Sequence, residues 1–210
     1  FMSEQHPDAF SWKNCLSETG GSHLPDAVGF NVGEKGAGQR RIHVHGDAGH
    51  GSTPYGKDFA ILKIGEVARR IAAAEPPVAS NELWEGFVKT FKFDPETEAA
   101  LIAGTGDYSK FGDLAAYAHA FSHTTIAETV LRAGGAINVL PSHAYLEMDI
   151  RPFPGQTQDE LDDFLREALG DLADEVEIEH LITEDATQSS TDSKLWHAIE
   201  ATSKEFFPDK

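Results

Sequence analysis

The stretch Gly46-Asp47-Ala48-Gly49-His50-Gly51-Ser52-Thr53-Pro54-Tyr55-Gly56 is the most chemically specific part of the chain. Glycines at 46, 49, 51 and 56 permit positive φ and close backbone approach. They present one imidazole, His50, at the tip of a turn just ahead of a helix start. An imidazole beside helix N-terminal amides suits the binding or polarisation of an oxyanion. Taken alone, the stretch is better explained by a loop histidine without chemistry. It is not a phosphate loop, because Gly-x-x-x-x-Gly-Lys-Ser/Thr is absent. Asn138, in Gly134-Gly135-Ala136-Ile137-Asn138-Val139-Leu140-Pro141, lies between two strands and is either a turn former or a ligand contact. Arg151 ends a strand beside Pro152, where a guanidinium could grip a carboxylate through two hydrogen bonds or make a surface ion pair. His43 and His45 share one strand face and could hold a metal, although two exposed histidines explain them better.

The elements that must position these groups follow from periodicity. Ile42 and Val44 alternate with Arg41, His43 and His45, a half-buried strand. After the glycine turn, Ile61, Ile64, Val67, Ala68 and Ile71 recur at helical spacing and stop before Pro76-Pro77. Residues 80–121 read as a helical insertion. Leu83, Trp84, Phe87, Val88 and Phe91 mark one short helix, and Glu96 to Ala103 another. Thr124 to Leu131 is a β-branched strand. Ala144, Leu146, Met148 and Ile150 alternate strictly with polar residues. Thr157 caps a helix with Leu161, Phe164, Leu165 and Leu169 on one face. Val176, Ile178, His180 and Ile182 form a last strand, and Ser193 to Phe206 a last helix. The order β, α, insertion, β, β, α, β predicts an α+β, ferredoxin-like domain: a four-stranded antiparallel sheet with two helices on one face. Many functions use that fold, so it decides none.

Composition narrows the partners. Seventeen Lys and Arg against 35 Asp and Glu give a formal charge of -18, which argues against nucleic acid and anionic membrane surfaces. No apolar run approaches the roughly 20 residues of a membrane helix. A single cysteine, Cys15, makes no internal disulfide and fits a reducing, cytoplasmic setting. The chain opens on Phe1 without a signal-like segment and ends directly after a helical pattern, so a piece of a larger protein is expected.

Three stretches in this order resemble one family: the turn around His50, then Gly135-Ala136-Ile137-Asn138-Val139-Leu140-Pro141, then Met148-Asp149-Ile150-Arg151-Pro152-Phe153-Pro154-Gly155-Gln156-Thr157. It is the co-catalytic zinc hydrolase family of acetylornithine deacetylase, succinyl-diaminopimelate desuccinylase, aminoacylase and glutamate carboxypeptidase. The resemblance implies a zinc-binding α/β catalytic domain interrupted by a ferredoxin-like lid, through which many members dimerise. It implies residues 1–37 and 185–210 as catalytic-domain strips around a lid at 38–184. By the same resemblance, Glu18 in Ser17-Glu18-Thr19-Gly20-Gly21 is a zinc ligand. His50 would stabilise the tetrahedral oxyanion in the neighbouring subunit's site. Asn138 and Arg151 would hold the substrate, with Lys35 as a second basic contact. Two zinc ions are expected in the parent, but the family's His-x-Asp motif, bridging Asp and Glu-Glu pair are absent here and its final His would follow Lys210. The expectation is the lid and dimerisation portion of a zinc-dependent amidohydrolase or exopeptidase acting on N-acyl amino acids or small peptides, inactive alone. The alternatives are a stand-alone dimerisation or ligand-binding module and a family member that binds without catalysing.

Overall fold

The computed structural model describes residues 2–10, 15–16, 24, 27–79 and 81–209. The chain divides into two units, Gly33–Gln188 and the pair Phe1–Val32 with Ser189–Lys210. The larger unit is built on four strands, β1 (Ala37–His45), β2 (Thr125–Ala133), β3 (His143–Arg151) and β4 (Val176–Glu184). They form one antiparallel sheet in the order β2-β3-β1-β4. Between the strands run α1 (Ala60–Ala73), α2 (Glu82–Lys89), α3 (Pro95–Ile102), α4 (Ala115–Ser122) and α5 (Gln158–Leu169).

Alternation on β1 and β3 explains the core. Ile42, Val44, Ala144, Leu146, Met148 and Ile150 face the helices and are buried. Against them lie Ala60, Ile64, Val67 and Ile71 of α1, and Leu161, Leu165 and Leu169 of α5. Each set recurs at three or four residues, the spacing of one helix face. Thr157 caps α5 as expected, and reciprocally: it accepts from the Glu160 amide at 3.2 Å, while Glu160 accepts from the Thr157 amide at 2.8 Å. A Cβ at Gly38 would lie 2.5 Å from Leu161 Cδ1, so this glycine lets α5 sit close on β1.

One expectation on β4 fails. Ile182 continues the apolar parity of Val176 and Ile178, yet it is exposed. β4 holds one extra residue between His180, paired with Arg40, and Thr183, paired with Gly38, so the alternation shifts there and Ile182 leaves the core-side phase.

The insertion has a core of its own. Trp84, Val88, Leu101, Phe111 and Ala118 are buried together, wrapped by Phe87, Phe91, Phe93, Ile102, Tyr108 and Leu114. The Trp84 indole donates to the Leu101 carbonyl at 3.1 Å, so its polar edge is satisfied. Asn81 and Asp94 cap α2 and α3. The neck of the insertion is a short clasp: Thr124 N donates to Pro77 O at 3.0 Å, and Val78 bridges His123.

In the smaller unit, α6 (Lys194–Phe206) is capped by Ser193, and Trp196 meets Phe30 edge-on at 6.3 Å.

Candidate functional site

Backbone hydrogen bonds build the His50 turn. Gly49 and His50 pair antiparallel with Leu140 and Val139, and the Gly51 amide donates to the Asn138 carbonyl at 2.8 Å. His50 and Asn138, far apart in sequence, therefore share one edge of the fold, both exposed. The loop is closed at its base by Asp47 N to Asp58 O at 2.8 Å and Gly46 N to Ser142 O at 3.0 Å. Its glycines serve two different needs. Only Gly56 among the four has positive φ. At Gly46 a Cβ would lie 2.5 Å from the Ala60 amide nitrogen, so that residue is required by crowding.

The Ser52 amide donates to His50 Nδ1 at 3.2 Å, with the Ser52 hydroxyl at 2.8 Å from the same nitrogen. A ring nitrogen that accepts a hydrogen bond is unprotonated, so this network assigns the proton of the neutral ring to Nε2. His50 thus offers an outward N–H donor on a stiff loop. The expected help from helix amides is absent. α1 starts only at Ala60, and the amides of Leu62 and Lys63 in its first turn are taken by the Phe59 carbonyl.

The second group lies at the other end of the sheet. Arg151 ends β3 opposite Thr125. Its Nε donates to Asp149 at 3.2 Å, and the side chain is 45% exposed. Among the described residues its two terminal nitrogens make no hydrogen bond, so the fork is available to a carboxylate. Lys35 lies within electrostatic range of Arg151 but is spent differently. Its ammonium donates to Ala120 O at 3.1 Å, His123 O at 2.7 Å and Thr125 Oγ1 at 3.2 Å, and sits 5.3 Å from the Phe153 ring centre. Burial, then the charge of Arg151, pulls its pKa from 10.5 down to about 8. These three bonds tie the end of α4 to the start of β2. In this chain Lys35 anchors the insertion.

The sheet keeps the two groups apart. His45 pairs with His143 at the His50 end, whereas Arg151 is eight residues further along β3. At about 3.4 Å per residue that is roughly 27 Å. Asn138 therefore joins His50 and is separated from Arg151, although one substrate-holding role is expected for both. Glu18 lies outside the described residues.

The face away from the helices carries a polar network. Arg41 pairs with Glu147 at 2.6 Å and Glu179 at 2.8 Å. His43 uses both ring nitrogens, on His143 Nε2 and Glu179 Oε2, each at 2.9 Å. His43 and His45 do share a face, each about one ring from His143. Among the described residues no three His, Cys, Asp or Glu converge as metal ligands. Sequence reading passes over Arg40, which is fully buried and bound to Asp162 at 2.8 Å and to Gln158 Oε1 at 3.0 Å. Its signal is parity: Arg40 shares the alternating phase of Ile42 and Val44, so a charge falls on the core side.

The strand order with two helices on one face defines a split βαβ domain. The family model of the peptidase dimerisation domain matches residues 32–177, and the chain belongs to that family. It is 34% identical over 92 residues to the probable carboxypeptidase S-like 2 of Dictyostelium discoideum, covering 43% of this chain and 17% of that protein. It is similar to the M20 family metallo-carboxypeptidase Sso-CP2 of Sulfolobus solfataricus, with a TM-score of 0.56 at 18% identity over 85% of this chain and 50% of that one. A hydantoinase/carbamoylase family amidase from Burkholderia ambifaria aligns with a TM-score of 0.48 at 14% identity, over 83% of this chain and 34% of that one. The chain thus spans a minor part of its curated relative and half of the metallo-carboxypeptidase. No helix among the described residues is long and apolar enough to cross a membrane.

Proposed function

We propose that this chain is the lid and dimerisation portion of a zinc-dependent amidohydrolase or exopeptidase, and that its two polar ends serve two different centres of a homodimer. The supporting observation is the separation of His50 and Asn138 from Arg151 along β3. A substrate the size of an N-acyl amino acid cannot touch both ends of one sheet. Pairing two sheets removes the difficulty. The outer edge of β2 carries free backbone groups, which favour strand addition. A two-fold axis through that edge runs β2 antiparallel to its copy. The Thr125 end of one chain then lies beside the Ala133 end of the other, which brings His50 and Asn138 of one chain toward Arg151 of its partner. Exposed Ile61 and Leu62 on α1 and Leu131 on β2 give that edge apolar surface to bury.

In this reading Arg151 grips the substrate carboxylate. From the partner chain, the Nε2–H of His50 donates to the oxygen that becomes negative as the amide carbon turns tetrahedral, and Asn138 holds the acyl side. The fixed tautomer and the closed loop mean that the donor needs no reorganisation as charge develops. The described residues do not form the metal centre that the family resemblance implies, and the contribution derived for this chain is confined to binding, orientation and charge stabilisation. Residues 1–37 and 185–210 belong in this proposal to the catalytic domain of the parent, a cytoplasmic enzyme.

The test is release of free amine from a panel of N-acyl amino acids and dipeptides by the zinc-loaded parent. Turnover that a chelator abolishes is expected. A parent that binds these compounds without releasing amine would favour the non-catalytic reading.

A further inference from the structure

The insertion carries an exposed apolar patch. On α2, Leu83 (39% exposed) and Phe87 are one turn apart, and on α4 so are Tyr117 (58%) and Phe121 (42%). Phe121 meets the half-buried Phe87 edge-on at 5.5 Å and Tyr117 at 6.4 Å, so these three rings form one surface, with exposed Leu83 one turn from Phe87. At the far end of β2 the loop 134–138 carries no charge, and its Ile137 is fully exposed. Val139 beside it is half exposed. Two apolar surfaces thus stand at opposite ends of one outer strand, in a chain whose net charge is -18. Two such chains repel one another except where uncharged patches meet.

We infer that the insertion is the seat for the partner chain's 134–139 loop. This rests on the edge pairing proposed above. Antiparallel pairing of β2 with its copy sets Thr125 beside the partner's Ala133. Phe121 precedes Thr125 by four residues and Ile137 follows Ala133 by four, tethers of at most about 14 Å each. The insertion is held at that place: Lys35 ties the end of α4 to Thr125, and the 77–79 strip is bonded to residues 122–124. The seated loop carries Asn138, and through Gly51 and Val139 it carries His50. The aromatic patch therefore acts as a positioning surface, holding the partner's donor groups at the Arg151 end. The same patch would be left without an occupant in a monomer.

Cross-linking separates this inference from the dimer reading. In a Cys15→Ser background, Tyr117→Cys combined with Ile137→Cys should convert most of the 210-residue chain to a disulfide-linked dimer under mild oxidation. Each single variant should stay unlinked. Within one chain the two positions lie beyond opposite ends of β2, whose eight steps span roughly 27 Å, so the bond forms only between chains. Sedimentation velocity on the uncross-linked protein reads the assembly independently. Tyr117→Ser with Phe121→Ser, both exposed, should weaken dimerisation at least tenfold while leaving the circular dichroism unchanged. A dimer that forms no cross-link and tolerates the serine pair would overturn the role of the insertion and leave the edge pairing standing. A monomer at micromolar concentration would overturn both.

Discussion

The two ends of this sheet are made differently. At the His50 end, backbone hydrogen bonds hold an exposed loop that carries His50 and stands beside exposed Asn138. At the Arg151 end, a half-buried lysine and an aromatic insertion brace the strands, and only the arginine fork stays open. One end resembles a donor that is delivered; the other resembles a receptacle. A single chain cannot bring the two together across about 27 Å of strand. The contrast is what motivates the proposed dimer, in which each chain would supply the half the other lacks.

Substitutions should separate the halves. The largest effect is expected at the delivered end. His50→Ala in the parent should lower kcat by about 10²–10³, the usual loss for an oxyanion donor. Its melting curve should stay unchanged, since an exposed loop side chain buries little. A wild-type kcat would return His50 to an ordinary loop role. At the receiving end, Arg151→Ala should raise KM roughly 10–100-fold with little change in kcat, from the loss of about 1.5–3 kcal/mol of charged hydrogen bonding. Arg151→Lys should recover only part of it, because an ammonium cannot make the paired contact.

Lys35 gives a test by pH. Its folded-state pKa, about 8, lies below the 10.5 of the unfolded chain. Between those values the unfolded state binds the extra proton, so stability rises with pH across that window. Denaturant melts from pH 7.5 to 10.5 should show wild type gaining on Lys35→Met, and a flat difference would contradict the burial argument. The smallest effect belongs to Ser52→Ala. The backbone amide still fixes the His50 tautomer, so kcat should fall by no more than about fivefold. A loss as large as that of His50→Ala would show that the hydroxyl is the essential partner.

Much of the fold was legible because it rests on short-range periodicity. The phase of Ile42 and Val44, of Ala144 to Ile150, and of Leu161 to Leu169 yields the sheet and its helical layer directly. The insertion was legible as helices, but its separate core was not, since only tertiary packing reveals that Trp84 and Phe111 meet each other and not the sheet. In the site, His50 and Asn138 were legible as residues through their motifs. Their pairing, and the distance from Arg151, depend on strand register, which a single sequence leaves open. Lys35 shows the same limit: a basic residue near a motif suggests a substrate contact, whereas its carbonyl partners are some 85 positions away. Arg40 broke the apolar parity visibly, but its ion partner Asp162 sits on a distant helix.

One mixing experiment bears most directly on the claim that each centre is built from two chains. Full-length His50→Ala and Arg151→Ala proteins, each poorly active as homodimers when assayed at substrate well below the wild-type KM, are unfolded or dissociated together and reassembled at equal amounts. In a two-fold dimer with random exchange, about half the dimers are mixed, and each has one centre with both lesions and one with neither. Activity should therefore recover to about a quarter of wild type. If both groups served a centre within their own chain, every centre would keep one lesion. Activity no higher than the average of the two parents, with exchange verified, would contradict the account.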